Sequence, residues 1–427
     1  MPASEVYFSE LRLFLEDICC DLCLLDDLGQ GALPADAVRI DREFHLGAPS
    51  VFADIRVQPA GEQPFFLEVK FGQPRFELVR RLQRKYSLDT EPIRQAARLV
   101  LVVDVARRND WPDIEQEIRA AINPHLRLEV WDETRLQSMI QRRLGANTGA
   151  ITASRLLTVR DRFEAAMGFQ AFGGESIEEY RNDPLHSALL WHLGATQVRA
   201  LRQAEGRTPR QMLPPQLYRR VAVMMADLAC FSSYVRDTRD PAVIRESLTS
   251  FYTKSRYEII HRGGMLYQFV GDAVIAFFGV PRSLTRVADR CLSVAKSLLD
   301  IGDSVATHWQ RRIDRVQPSG GAHIGLTIGD VEIMSLRPFS RTRVGAVSDS
   351  INLASRLVSA ARAGEIVVSN SFFHELTEEK KQGFVELEPL EGRNVGKIKA
   401  WKLSLAGRYT SPHEPAEAPA SPPEQGP

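Results

Sequence analysis

Apolar side chains at Phe8, Leu11, Leu15, Ile18, Leu22 and Leu25 recur at the three-and-four spacing of one helix face, and this predicts a first helix. The period then changes to strand-like runs. AVRIDREFHL at 37–46, VFADIRV at 51–57 and FFLEVKF at 65–71 are separated by the turn residues Gly47, Pro49, Gly61 and Pro64. RFELVRRLQRKY at 75–86 predicts a helix, RLVLVVDV at 98–105 a buried strand, Pro112 to Ile122 a helix, LRLEVW at 126–131 a strand, and about 133–143 a last helix. Residues 1–145 therefore predict an α/β domain of a size that can carry its own core.

Residues 146–216 predict a helical connector. SRLLTVRDRFEAAM and SALLWHLGATQVRALRQ have helical patterning, and the breaker-rich tracts at 172–176 and 205–216 flank them. Such a connector is placed to transmit dimer geometry between domains. A second domain is expected over 217–407, and the Pro-, Ala- and Glu-rich end at 408–427 predicts a disordered tail.

Length and charge fit this division. The 427 residues exceed one ordinary core, and 54 basic against 54 acidic side chains exclude whole-chain attraction to nucleic acid or membrane as the dominant property, leaving local patches open. No apolar run reaches the roughly 20 residues of a membrane span. The acidic N-terminus MPASEVYFSELRLFLED lacks the basic and apolar regions of an export signal, so a cytoplasmic protein is expected. Cys19, Cys20 and Cys23 have no second ligand pair at zinc spacing and are expected as core or half-buried thiols.

Three segments of the second domain carry chemistry. AVMMADLACFSSY at 222–234 is an apolar strand that delivers Asp227 into a turn, and YQFVGDAVIAFFG at 267–279 is a hairpin with Asp272 at its tip. Between them, Asp240-Pro241 begins a helix with Ile244, Leu248, Phe251, Ser255 and Ile259 on one face, ending at Gly263-Gly264. A strand, a crossover helix and a hairpin bring two distant carboxylates to one sheet end. In GAVSDSINLASRL at 345–357, Asn352 and Arg356 stand four apart on one helix face. Divalent ions on the carboxylates suit the attack of a ribose 3′-hydroxyl on an α-phosphorus. Arg356 suits the phosphoryl oxygens and Asn352 the ribose.

These segments resemble the class III adenylate/guanylate cyclase catalytic domain, whose pattern is F-A-D-I-x-G-F on a strand, F-x-G-D on a hairpin and G-D-x-V-N-x-A-x-R on a helix. HIGLTIGDVEI at 323–333, GEIVVS at 364–369 and KIKAWKLSL at 397–405 extend the match over about 190 residues in the correct order. The resemblance implies a ferredoxin-like α+β domain, a lyase releasing pyrophosphate, and two Mn²⁺ or Mg²⁺ ions per active site held by Asp227, Asp272 and the Leu228 carbonyl. It also implies a triphosphate on the N–H groups of the turn through Ala229, Cys230, Phe231 and Ser232. Each site is expected across a homodimer interface, metals from one subunit and Asn352 with Arg356 from the other. Cys230 departs from the usual glycine, and a Cβ there restricts a tight phosphate turn.

The base-reading positions depart further. Purine cyclases of the family carry lysine and aspartate or threonine where this chain has Gln268 and Gly345. Glutamine offers a donor and an acceptor to the polar edge of uracil or cytosine, and Tyr267 or its neighbours are expected to fill space a purine needs. In this the chain resembles the pyrimidine cyclases of Pycsar antiphage systems, in which a cyclic pyrimidine nucleotide activates a separate effector. UTP is the expected substrate, ahead of CTP. Cyclic AMP synthesis from ATP, an inactive sensor, and a nuclease effector are the alternatives.

In the N-terminal domain, Asp54 followed by Glu68-Val-Lys70, with Gln83 and Tyr86 on the next helix, is similar to the PD-(D/E)xK restriction-endonuclease-like pattern. That resemblance implies a metal held by Asp54 and Glu68 with Lys70 assisting water. The same residues also suit a salt-bridged strand face, so nucleic acid as a partner stays open here.

Overall fold

Leu11, Leu15, Ile18 and Leu22 are fully buried along helix α1 (Ala3–Asp27), so the three-and-four spacing becomes a packed face. Cys19 and Cys20 lie in the same core, where burial pushes both thiols up, and none of the five cysteines forms a disulfide. They are structural thiols, as their spacing predicts. The computed structural model describes residues 3–27, 38–105, 108–173, 184–313, 317, 319–336, 343–392 and 396–405; the tail expected at 408–427 lies outside them.

Strands β1 (Val38–His45), β2 (Phe52–Pro59) and β3 (Phe65–Val69) form an antiparallel meander. Helix α2 (Arg75–Tyr86) leads on to β4 (Arg98–Val102), which runs parallel to β3, and α3 (Trp111–Ala121) leads to β5 (Arg127–Trp131), parallel to β4. Alternation divides this five-stranded sheet. Leu67, Val69, Val100 and Val102 meet α1 and α4 (Glu133–Leu144) on one face, whereas Phe66, Leu99 and Leu101 meet α2 and α3 on the other.

Residues expected as a connector are helical, and their two long helices join different cores. In α5 (Leu156–Phe172), Leu156, Val159 and Phe163 complete the N-terminal core; in α6 (Pro184–Glu205), Leu189, Leu193, Val198 and Leu201 pack on the second sheet. Gly194 breaks α6 at φ 72, and a Cβ there would lie 2.6 Å from Ile260 Cδ1.

The second domain runs β6 (Gln216–Leu228), α7 (Phe231–Asp237), the crossover helix α8 (Pro241–His261), β7 (Gly264–Val270), β8 (Ala273–Phe278), α9 (Val287–Gln310), β9 (Ala322–Leu336) and β10 (Arg343–Val347). There follow α10 (Asp349–Ala360), β11 (Glu365–Ser369), α11 (Asn370–Glu375), β12 (Phe384–Glu386), the ribbon β13 (Leu390–Gly392) with β14 (Gly396–Ile398), and β15 (Ala400–Ser404). The sheet order is β12-β15-β11-β9-β6-β8-β7, with β10 paired to β9. Ala222, Met224, Ala226 and Leu228 of β6 face α8 and α9, while Val221 and Val223 face α6 and α10. By the same alternation Asp227 belongs to the α6/α10 side. The fold is the expected α/β (α+β) mixture.

Charged side chains, not apolar ones, dominate the contact between the two sheets' layers. Glu43, held at φ 50 within β1, takes the Lys254 ammonium of α8 and the Ser304 hydroxyl of α9, the latter at 2.7 Å. Glu258 accepts the backbone N–H of Arg42 at 2.7 Å, and the Arg42 guanidinium, fully buried, pairs with Glu16 at 2.5 Å and Asp17 at 2.7 Å. Arg262 bridges Asp41 and Glu258, 2.9 Å from the latter. Burying so many charges costs free energy unless each finds its partner; Arg42 finds Glu16 and Asp17 in its own domain, whereas Lys254 with Glu43 and Arg262 with Asp41 pair across the two domains.

Candidate active site

Asp227 is the penultimate residue of β6 and pairs in register with His323 of β9. Asp272 follows Gly271, at φ 63, in the two-residue turn between β7 and β8, the left-handed position a tight hairpin demands. The turn folds the second carboxylate against the first. Asp272 accepts N–H groups from Leu228 and from its own backbone and lies beside Asp227; burial and then the Asp227 carboxylate push it up to about 7. Asp227 Oδ1 is buried without a hydrogen-bond partner, and His323 Nε2 lies 3.9 Å from Oδ2. Burial pushes the His323 imidazole down, towards the neutral form.

Two juxtaposed carboxylates with an orphaned oxygen are a donor set for a hard divalent cation. Among the described residues no group of three His, Cys, Asp or Glu side chains is gathered for a metal, so such an ion here depends on backbone and substrate oxygens as well. His323 was not singled out from the sequence. Its signal was available: it opens the strand HIGLTIGDVEI, which must pair with the strand carrying Asp227.

The expected phosphate turn is partly spent. Ala229 donates its N–H to the Gly321 carbonyl at 2.9 Å, which removes it from the set. Cys230 caps α7 in the left-handed conformation at φ 56, so the chain adopts the glycine-like turn despite its Cβ. Phe231 and Ser232 begin the helix, where N–H groups have no intrahelical acceptor. The Phe231 ring packs edge-on to Trp309, 6.1 Å between centroids, so any contribution of Phe231 to phosphate comes from its backbone.

Helix α10 seats Ala354, Leu357 and Val358 on the sheet and turns Asn352 and Arg356 to its other side, Asn352 exposed and Arg356 half-buried. Gly325 permits this closeness: a Cβ on it would lie 2.4 Å from the Ala354 carbonyl oxygen.

Gln268 and Gly345 come from different strands, and a single hydrogen bond joins their neighbours. Tyr267 occupies the irregularity in the β7–β8 register, stacks on Phe277 at 5.0 Å, and accepts the Ala346 N–H at 3.2 Å. The ring thus lies on Phe277, and the hydroxyl reaches β10. Gln268 is exposed beside it.

Residues 213–404 match a family model described as the adenylate and guanylate cyclase catalytic domain. This part of the chain is a nucleotide cyclase domain. Among curated proteins, the uncharacterized Rv1320c of Mycobacterium tuberculosis is 28% identical over 145 residues, 34% of this chain and 24% of that protein. Rv1319c of the same organism is 25% identical over 165 residues, 38% of this chain and 29% of that one. The matched stretch thus spans under a third of these relatives. Among solved structures, the guanylate cyclase domain of RhGC from Catenaria anguillulae, in complex with GTP, is 24% identical, covering 44% of this chain and 98% of that one with a TM-score of 0.37. The adenylyl cyclase CyaB from P. aeruginosa is 20% identical, covering 44% and 95% with a TM-score of 0.40.

Outside the cyclase domain, the structure also gathers Asp54, Glu68 and Lys70, together with Lys85 and Tyr86 of α2. Lys70 Nζ lies 2.5 Å from Asp54 and 2.7 Å from Glu68; Lys85 Nζ lies 2.8 Å from Glu68 and 3.2 Å from Asp54; the Tyr86 hydroxyl donates to Glu68 at 2.6 Å. Burial pushes the Asp54 carboxyl up, but Lys70 and Lys85 outweigh it and hold the group well below the usual carboxylate range. Two ammonium groups supply the positive charge that a cation would bring. Lys85 was missed in the sequence because it sits in a basic run, RRLQRKY, whose other arginines at 80, 81 and 84 are exposed.

Proposed function

We propose that the protein is a metal-dependent nucleotide cyclase that converts a pyrimidine nucleoside triphosphate, UTP ahead of CTP, to its 3′,5′-cyclic monophosphate and pyrophosphate. The pair Asp227 and Asp272 supports the reaction class. Asp227, Asp272 and the Leu228 carbonyl would hold Mn²⁺ or Mg²⁺, two per site, whose charge lowers the pKa of the ribose 3′-hydroxyl and neutralises phosphate. The 3′-oxygen bonds to the α-phosphorus, its proton is released, and the bond to the leaving pyrophosphate breaks. Arg356 offers a guanidinium fork to the equatorial oxygens and Asn352 orients the ribose, each contributed by a second copy of the chain.

The observation that supports the base assignment is the Tyr267–Ala346 bond, which joins the strand bearing Gln268 to the strand bearing Gly345, the two positions that differ from the purine-reading pair. The Gln268 amide offers a donor and an acceptor to a pyrimidine edge. A second-messenger role in antiphage defence, with a separate effector reading the cyclic nucleotide, follows from the same likeness.

Incubation of the full chain with Mn²⁺ and each of the four ribonucleoside triphosphates, with products resolved by mass spectrometry, tests this reading. A cyclic pyrimidine nucleotide that disappears in Asp227→Ala supports it, and cyclic AMP alone overturns the base assignment. Mixing inactive Asp227→Ala and Arg356→Ala chains tests the shared site. Random exchange restores about a quarter of the sites, because half the dimers are mixed and each mixed dimer keeps one intact site.

A further inference from the structure

Helix α8 meets the metal-turn hairpin and the connector on one side and the N-terminal domain on the other. On one side Tyr252 stacks on Phe269 of β7, 4.1 Å between centroids and 18° between planes, and donates its hydroxyl to the Gly271 carbonyl. Gly271 immediately precedes Asp272, so this bond holds the turn that carries the second metal carboxylate. Phe269 in turn meets Trp191 of α6 edge-on at 5.8 Å, and Arg256, one turn beyond Tyr252, lies over the Trp191 ring at 5.4 Å. Tyr252, Phe269, Trp191 and Arg256 form one side of the helix's environment, built from the hairpin and the connector.

Two residues along, about 200° around the helix, the opposite face belongs to the N-terminal domain. Lys254, Glu258 and Arg262 recur at four-residue spacing and meet Glu43, the Arg42 backbone and Asp41 respectively. Lys254 and Glu258 are buried there, 5% and 0% exposed. The Glu43 that takes Lys254 sits in the left-handed region at φ 50, a conformation a non-glycine residue keeps only when its surroundings hold it. A rigid helix turns a shift on one face into a shift on the other.

We propose that Tyr252 is a positioning residue for the metal-binding turn, and that the N-terminal domain controls the cyclase site by fixing the helix on which Tyr252 stands. The proposal rests on Asp227 and Asp272 being the metal ligands. It gives the N-terminal domain a mechanical role that needs no reaction of its own. Release of Glu43 from Lys254 and Ser304 frees the outer face of α8, and the Tyr252 hydroxyl and Asp272 move with it.

Mn²⁺ binding to the full chain, read without turnover as loss of the free Mn²⁺ paramagnetic resonance signal, tests both steps. Tyr252→Phe keeps the ring stack and removes the hydroxyl, and is expected to raise the Mn²⁺ dissociation constant about five- to tenfold. Glu43→Gln is expected to shift it in the same direction; Ser304→Ala, which removes one donor to Glu43, provides a milder variant should Glu43→Gln fail to fold. In the double variant with Tyr252→Phe, the combined shift should be smaller than the product of the two single shifts, because they act through one element. Wild-type Mn²⁺ affinity in Tyr252→Phe, with binding lost in Asp272→Ala, overturns the positioning role. Independent, multiplying shifts overturn the link to the N-terminal domain. Unchanged binding in Asp272→Ala would instead overturn the metal reading itself.

Discussion

The Tyr267 hydroxyl and the Ala346 backbone N–H meet at 3.2 Å, and this one bond ties the strand bearing Gln268 to the strand bearing Gly345. Tyr267→Phe keeps the stack on Phe277 and removes only the acceptor. Its loss leaves β10 on β9 but unties it from β7, and KM for the preferred triphosphate should rise about threefold to tenfold with kcat nearly unchanged, corresponding to the usual worth of one hydrogen bond. Steady-state kinetics with each triphosphate checks this, and the preference among bases should narrow at the same time.

Asp227→Asn removes one charge from a pair that repels in the absence of metal. The metal-free protein should gain up to about 1 kcal/mol, a figure kept small because the pair is partly solvated. Urea unfolding with and without Mn²⁺ provides the measurement. The wild type should be stabilised by Mn²⁺, whereas the variant should gain nothing from it and lose cyclisation about a thousandfold or more.

Cys230 occupies a left-handed position at φ 56 that favours glycine. Cys230→Gly relieves that strain, about 1 kcal/mol, against a similar entropic cost in the unfolded chain, so thermal stability should change little. The effect should appear in the site, where removing Cβ lets a triphosphate approach the turn and lowers KM. A KM that rises would show that the thiol's contact with Ser319, 3.2 Å away, matters more than the space.

Lys85→Met leaves Glu68, which has no solvent exposure, with less compensating charge, and should cost about 3 kcal/mol near neutral pH. The pH dependence has a definite sign. Because the folded-state Asp54 carboxyl lies below its ordinary value, its contribution is complete above about pH 4 and is lost as pH falls through the lowered folded value. Lys85 contributes to that lowering, so the stability gap between wild type and Lys85→Met should narrow as pH falls below about 4 towards the lowered folded value. Chemical unfolding across that range checks the sign. No Mg²⁺-dependent DNA cleavage is expected from a site whose lysines already neutralise both carboxylates.

Strand and helix positions were legible where one period dominates. The expected helix at 75–86 is α2 to the residue, and Asp240 caps α8 by accepting from Ala242 at 2.9 Å, as Asp240-Pro241 predicts. The facing carboxylates were legible because a strand end and a hairpin tip are readable places. The second buried stripe of α8 was not. Lys254, Glu258 and Arg262 have the spacing of solvent-exposed ion pairs, and nothing within the helix's own sequence says that another domain covers them. Tyr267 shows a different limit: its ring direction depends on a register irregularity in β7 that alternation cannot anticipate. His323 gains meaning only from cross-strand register, which a single strand does not carry.

The charged seam along α8 also bears on modularity. A cyclase fragment cut out near residue 213 would bring Lys254, Glu258 and Arg262 into water, stripped of Glu43, Asp41 and the Arg42 N–H. The remaining N-terminal piece would lose the Tyr257 ring from Arg42 and leave Glu43, in its left-handed conformation, facing an open surface. Neither half is a cassette that can be exchanged on its own. Chimeras that graft a different N-terminal module onto this cyclase domain must carry matching charges for the helix, or rebuild its outer face.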